Sequence, residues 1–252
     1  MGVVYIMTRP CSNSRFSSAP SIFILLALCL YLPGLQAEVP LRAFTATYEL
    51  QVGSSTPGTA ELSLAPFDNM WRWRLSSEAT GIWAVFISKQ PYSETTFSQT
   101  RDDLRLQSIL ITDAKNEKHR ETASFDWELG QMQVSRKGKN RQRALKDSVY
   151  DYQSIHLLAA DMQLRQQQER SLIFYRKGKL IDSRLSYVGD ESLELDGGQV
   201  VARRYLQTYN GSSTETNYYY AASNPLVPLL IERLEKDESP RILRLLKVDW
   251  HS

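Results

Sequence analysis

Thiol chemistry is almost absent from this sequence. Its two cysteines, Cys11 and Cys29, both precede residue 38, so the chain beyond that point can hold neither a structural disulfide nor a thiolate metal ligand or nucleophile. Histidine is scarce as well. His119, His156 and His251 are never spaced as His-x-x-x-His, and no metal site is expected from them. An excess of one charge is also lacking: 30 basic residues stand against 28 acidic ones, which argues against a nucleic-acid partner held by bulk electrostatics. The sequence has no P-loop, dinucleotide fingerprint, calcium loop or Gly-x-Ser-x-Gly elbow, and no cofactor is expected.

A membrane-spanning run of ~20 apolar residues is missing too. Instead, Arg9 and Arg15 precede the eleven-residue apolar stretch Ile22–Leu32, which Pro33-Gly34 ends. This pattern predicts a signal peptide over residues 1–37, cleaved near Ala37, and a mature protein of the periplasm with no stable transmembrane span. The alternative is an uncleaved signal that anchors the protein to the inner membrane. Lipidation at Cys29 is disfavoured by Leu28, because lipoprotein processing requires a small residue there. Removing Arg9 and Arg15 leaves 28 bases against 28 acids.

From residue 41 onward the apolar pattern has period two, the mark of half-buried antiparallel strands. Phe44, Ala46, Tyr48, Leu50 and Val52 alternate with Thr45, Thr47, Glu49 and Gln51. Trp71, Trp73 and Leu75 alternate with Arg72 and Arg74, and Ala123, Phe125, Trp127 and Leu129 alternate with polar residues in the same way. Further strands are expected near 59–65, 92–100, 104–113, 171–177, 181–188, 214–221, 227–236 and 241–250. Glycine-bearing turns, among them Lys137-Gly-Lys139, Arg176-Lys-Gly-Lys179 and Asp196-Gly197, separate them. Two stretches depart from this rhythm. The run 81–87 is uniformly apolar and fits either a buried strand or a short helix. Residues 151–166 have helical spacing, with Asp151 as N-cap. The expected fold is mainly β: residues 38–252 as one domain, a large antiparallel meander curled into a barrel, half-barrel or sandwich, with one mid-chain helix.

Several segments in this order resemble an uncharacterised family of exported bacterial proteins, domain-of-unknown-function family 3108. They are Phe44-Thr-Ala-Thr-Tyr48, Ser76-Ser-Glu-Ala-Thr-Gly-Ile82, Asp151-Tyr-Gln-Ser154, the Asp196-Gly197 hairpin and Ala221-Ala-Ser-Asn-Pro-Leu-Val-Pro228. The resemblance covers most of residues 41–250. It implies an exported antiparallel β protein and supplies no catalytic residues.

Chemistry is hard to locate. Asp151, Ser154 and His156 are the residue types of a hydrolase triad, yet on a helix Ser154 and His156 project about 200° apart. The pair Glu191 and Glu194, like Asp102-Asp103, reads as solvated strand and turn charge rather than a glycosidase pair. No catalytic residues are assigned, and the protein is not expected to be an enzyme. The aromatics lead further. Trp71, Trp73, Phe174, Tyr205, Tyr218 and Tyr220 lie on expected strands and either fill the core or line a ligand cavity. The function expected is therefore a non-enzymatic carrier for an apolar or amphiphilic envelope component. A structural or assembly protein that recognises an envelope protein is the rival reading, and an envelope hydrolase a third.

Overall fold

The structure is a computed structural model that describes residues 38–80, 84, 90–99, 104–113, 116–145, 148–195 and 197–251. The expected signal peptide with both cysteines, the run 81–87 apart from a helical Ala84, the Asp102-Asp103 pair and Asp196 lie outside these residues.

Among the described residues fifteen strands follow one another. The first half holds β1 (Phe44–Val52), β2 (Ser55–Phe67), β3 (Met70–Ala79), β4 (Pro91–Gln99), β5 (Leu104–Asp113), β6 (Glu121–Asp126), β7 (Gln131–Arg136) and β8 (Lys139–Ala144). After the two-residue β9 (Val149–Tyr150) comes the helix α1 (Ile155–Leu164). The second half holds β10 (Glu169–Arg176), β11 (Lys179–Leu195), β12 (Gly198–Tyr209), β13 (Glu215–Ala221), β14 (Asn224–Leu234) and β15 (Arg241–Trp250). All fifteen belong to one sheet in the order β8 to β1, then β15 to β9. Each half is thus a meander, and the two join where β1 pairs with β15, Phe44 opposite Trp250 and Leu50 opposite Leu243. Every pairing is antiparallel except the short β9–β10 contact.

The alternation in the sequence becomes the two faces of this sheet. Phe44, Ala46 and Tyr48 are buried on β1, as are Glu121, Ala123 and Phe125 on β6. Bulges between Thr47 and Tyr48, Thr96 and Phe97, and Tyr187 and Gly189 break the register and bend the strands, which lets so long a sheet curl. The curl does not close by pairing. Strand β10, next to the short edge strand β9, instead slides beneath the other end of the sheet, like the inner lip of a scroll. Its two faces show it: Phe174 packs edge-on against Tyr209 on one side, while Tyr175 meets Phe125 of β6 and donates a 2.7 Å hydrogen bond to Glu121 on the other.

The helix is shorter and more deeply placed than its spacing predicts. It spans Ile155–Leu164 rather than 151–166. Ile155 to Ala160, Met162 and Gln163 are all buried. Asp151 is no surface cap. It sits one turn ahead of the helix, fully buried, where its Oδ1 accepts from the amide of Gln153 at 3.3 Å and from the amide and hydroxyl of Ser154 at 2.8 and 2.7 Å. Its Oδ2 accepts from the hydroxyl of Thr95 on β4. Burial pushes this carboxyl above its usual range, against the pull of those bonds. Loss of an exposed cap costs about 1 kcal/mol, whereas removing a buried acceptor strands several donors at once. Asp151→Ala should therefore lower stability by roughly 3 kcal/mol, read from the urea midpoint; a loss no greater than that of an ordinary cap would remove Asp151 from this role.

Candidate functional site

Five of the six aromatics singled out from the sequence are buried core, and the sixth, Trp71, is half-buried against it. Trp73 lies edge-on to Phe44 at 5.5 Å and tilted against His156 at 5.7 Å. Tyr220 shares its hydroxyl with His156 Nδ1 at 2.7 Å, and Tyr205 packs edge-on to Tyr220. Phe174 is enclosed between Tyr152 and Tyr209. Tyr218, buried as it is, also borders an open space, and its hydroxyl donates to Gln207 at 2.9 Å. Asp151, Ser154 and His156 do not converge as a relay: the serine bonds the aspartate, while the histidine bonds Tyr220.

The space that Tyr218 borders is a half-open cavity of about 300 Å³ inside the curl. Its walls come from more than one register row of the sheet. In one, Tyr218 is opposite Ile231, Ile231 opposite Leu243, and Leu243 opposite Leu50; in another, Leu75 is opposite Ser93 and Ser93 opposite Ile111. Small side chains line it as well, namely Ala60, Ser77, Ser93 and Thr216. Opposite Leu50 stands Gly58, where a Cβ would fall 1.9 Å from the backbone oxygen of Glu78, so no side chain can project there.

Two guanidinium groups stand over this apolar wall, Arg233 and Arg241, which pair across β14 and β15. Arg233 lies 5.4 Å from the Tyr152 ring centroid and 2.7 Å from Glu235. Burial works against its charge, but the Tyr152 phenol and the Glu235 carboxylate outweigh it and hold the group charged. Arg241 pairs with Glu238 at 2.7 Å in an exposed position, an interaction of small net worth. The arrangement is that of a small-molecule site, apolar walls with a few polar groups at one end. Sequence reasoning missed Arg233, Arg241, Ile231 and Leu243. Their alternation was visible, but only the register aligns them with β1 and β3.

A second, wider groove of about 760 Å³ runs beside β9 to β12. Arg170, Asp182, Arg184 and Asn210 line it together with Tyr150, Leu172, Ile173 and Tyr209, so its wall mixes polar and apolar groups.

A family profile described as "Protein of unknown function (DUF3108)" matches residues 44–238. No curated protein matches the chain. Among solved structures it is similar to a β-barrel-like protein of domain-of-unknown-function family DUF1849 from Brucella abortus, at 10% identity and a TM-score of 0.56, covering 84% of this chain and 99% of that one. That likeness shows the fold alone. Weaker likenesses link it to a protein described as exported, with a YmcC-like fold, from Bacteroides fragilis (6% identity, TM-score 0.31, 83% of this chain and 96% of that one) and to one described as a lipoprotein from Parabacteroides distasonis (7%, 0.30, 83% and 96%). No helix among the described residues is long and apolar enough to cross a membrane.

The buried histidine gives this region a pH signature. Desolvation pushes the His156 imidazole down to about 3 from 6.5. In that window the unfolded chain binds a proton that the folded one refuses, so the contribution is intact above about 6.5 and is lost as pH falls toward 3. Between pH 6.5 and 4.5 the wild type should lose roughly 2–3 kcal/mol more stability than His156→Asn, measured by urea unfolding at both pH values. Parallel losses in the two proteins would show that His156 is not held neutral.

Proposed function

The chain belongs to the DUF3108 family of proteins of unknown function, and from that premise, which transfers no activity, we propose that the protein binds and carries an amphiphile. Its apolar part would enter the cavity among Leu50, Leu75, Ile231 and Leu243, and its anionic head would meet Arg233 and Arg241. The observation that carries this reading is the pairing of an unfilled apolar cavity with two charged donors at one end of it. No bond is made or broken in this role. Binding draws on burial, worth roughly 5 kcal/mol for about 200 Å² of apolar surface, less the cost of ordering the guest.

A volume of about 300 Å³ sits at the small end of ligand sites. It suits one apolar chain or a compact ring system rather than a two-chain lipid. The periplasm is the compartment that goes with this proposal, on the strength of the basic leader and apolar run Ile22–Leu32.

Anilinonaphthalene sulfonate should bind with saturable fluorescence enhancement, and dodecanoic acid should displace it. Ile231→Trp, which fills the cavity, should abolish both effects while the urea midpoint shows the fold intact. Exchanging Arg233 and Arg241 for Gln should weaken dodecanoate about ten-fold relative to dodecanol, as loss of a charge-assisted bond predicts. Unchanged binding in the filled variant would end the carrier reading. Equal loss for acid and alcohol would end the assignment of the head-group end.

A further inference from the structure

The bases of this protein are sorted in space although its sequence is close to neutral. Residues 131–143 contain Arg136, Lys137, Lys139, Arg141 and Arg143 and no acid, and residues 173–181 contain Arg176, Lys177 and Lys179 and no acid. Each stretch is a hairpin whose tip reads Lys-Gly-Lys. Both tips use the same two-residue turn with positive φ at lysine and glycine: 52° and 70° at Lys137-Gly138, 51° and 73° at Lys177-Gly178, the form that matches strand twist.

The overlap of the sheet sets one hairpin against the other. Gly178 is buried beneath β7, where an added Cβ would lie 3.2 Å from Val134 and 3.4 Å from the side chain of Arg136. Glu121 ties them together, since it accepts from Tyr175 of β10 and pairs with Arg136 of β7. That carboxylate is buried and already occupied. Lys137, Lys139, Arg141, Arg143, Lys177 and Lys179 are all exposed, and none forms an ion pair among the described residues.

Basic side chains on an edge strand also deter strand-to-strand aggregation, which accounts for β8. It does not account for a second Lys-Gly-Lys tip seated against the first, where like charges repel. The position adds a further point. Ile111 of the cavity wall pairs with Glu121, and Glu121 with Arg136. On the other side, Arg241 pairs with Arg233, Leu234 with Glu215, and Thr208 with both Glu215 and Arg184. The two tips thus occupy the same ends of the strands as the cavity.

We propose that the paired Lys137–Lys139 and Lys177–Lys179 tips dock the protein on an anionic lipid bilayer, with the cavity end facing the head groups. A flat field of negative charge complements four exposed lysines at two adjacent tips, with Arg141 and Arg143 exposed farther along β8, and it is the source from which an amphiphile would be drawn. Each base near such a surface strengthens binding by roughly five-fold, about 1 kcal/mol, and salt weakens it.

The test is flotation of the purified full chain with vesicles of phosphatidylcholine alone or with one-third phosphatidylglycerol. Residues 1–37 carry an apolar run that can add to binding on either vesicle, so the reading is the ratio between the two compositions. At about 0.1 M salt that ratio should exceed ten-fold, and it should collapse at ~0.5 M. Changing Lys137, Lys139, Lys177 and Lys179 together to Glu should reduce it to one, and changing them to Ser should give an intermediate value should the reversed protein fold poorly. Equal binding to both vesicles, or variants that keep the wild-type ratio, would overturn the proposal. Binding to soluble polyglutamate without binding to vesicles would overturn it in favour of an acidic protein partner. The assay uses no cavity probe: Ile231→Trp should keep the vesicle ratio, so failure of the carrier reading and failure of the docking reading are separately visible.

Discussion

A helix enclosed by a sheet must find partners for its polar groups on the strands around it, and that requirement governs this fold. Buried polar groups left unpaired cost about 1–3 kcal/mol each, and α1 brings several. Most find a partner on the strands or in the turn after β13, while Gln163 Oε1 has none among the described residues. Thr95 and Ser93 of β4 hold Asp151 and Gln153 at the helix entry. Tyr220 of β13 meets His156, and the carbonyl of Ala222 accepts from Gln163 at 2.9 Å. β4 belongs to the first meander and β13 to the second. The helix therefore ties the two halves together from within, as the pairing of β1 with β15 does along the sheet.

Once the helix is fixed, the rest of the curl follows. The chain leaves edge strand β8, forms β9 and enters α1 within a few residues, so the second meander must begin inside the first. That places β10 beneath β6 and β7 and buries both of its faces, with Phe174 turned inward and Tyr175 outward. An exposed edge invites pairing with other chains. Here the end formed by β10 and the short β9 is covered by overlap, and the β8 edge is dressed in charge, its six residues all exposed. Two different remedies serve the two ends of one sheet.

The strands were legible because a half-buried strand writes its two faces into the sequence, as Phe44-Thr-Ala-Thr-Tyr48 does. The helix was legible in position but not in depth. A helix with one buried face alternates strongly, whereas α1 buries nearly its whole circumference, and its Asp151, Gln153 and His156 look like surface residues until Thr95, Ser93 and Tyr220 are placed beside them. The aromatics were correctly set on strands, but their size could not tell lining from filling. Rings fill the interior around Trp73, Tyr48 and Phe97. The cavity has small residues in its wall, and the sequence gives no hint that Ala60, Ser77, Ser93 and Thr216 line one space, because they lie on strands far apart in the chain and meet only through the register and curl of the sheet.

Charge shows the same separation between composition and arrangement. A count of bases against acids excludes a polyanion held by overall charge, and for this chain that count is nearly even. Yet screening confines surface electrostatics to about 10 Å at ordinary salt, so a partner responds to the local set of charges and not to the total. Folding brings together two Lys-Gly-Lys turns that lie some forty residues apart in the sequence, through an overlap that a packed helix enforces. The interaction that closes the roll, Glu121 between Tyr175 and Arg136, withdraws the nearest carboxylate from the surface. The basic character of that end is thus a product of the same geometry that buries β10, and neither hairpin alone would present it.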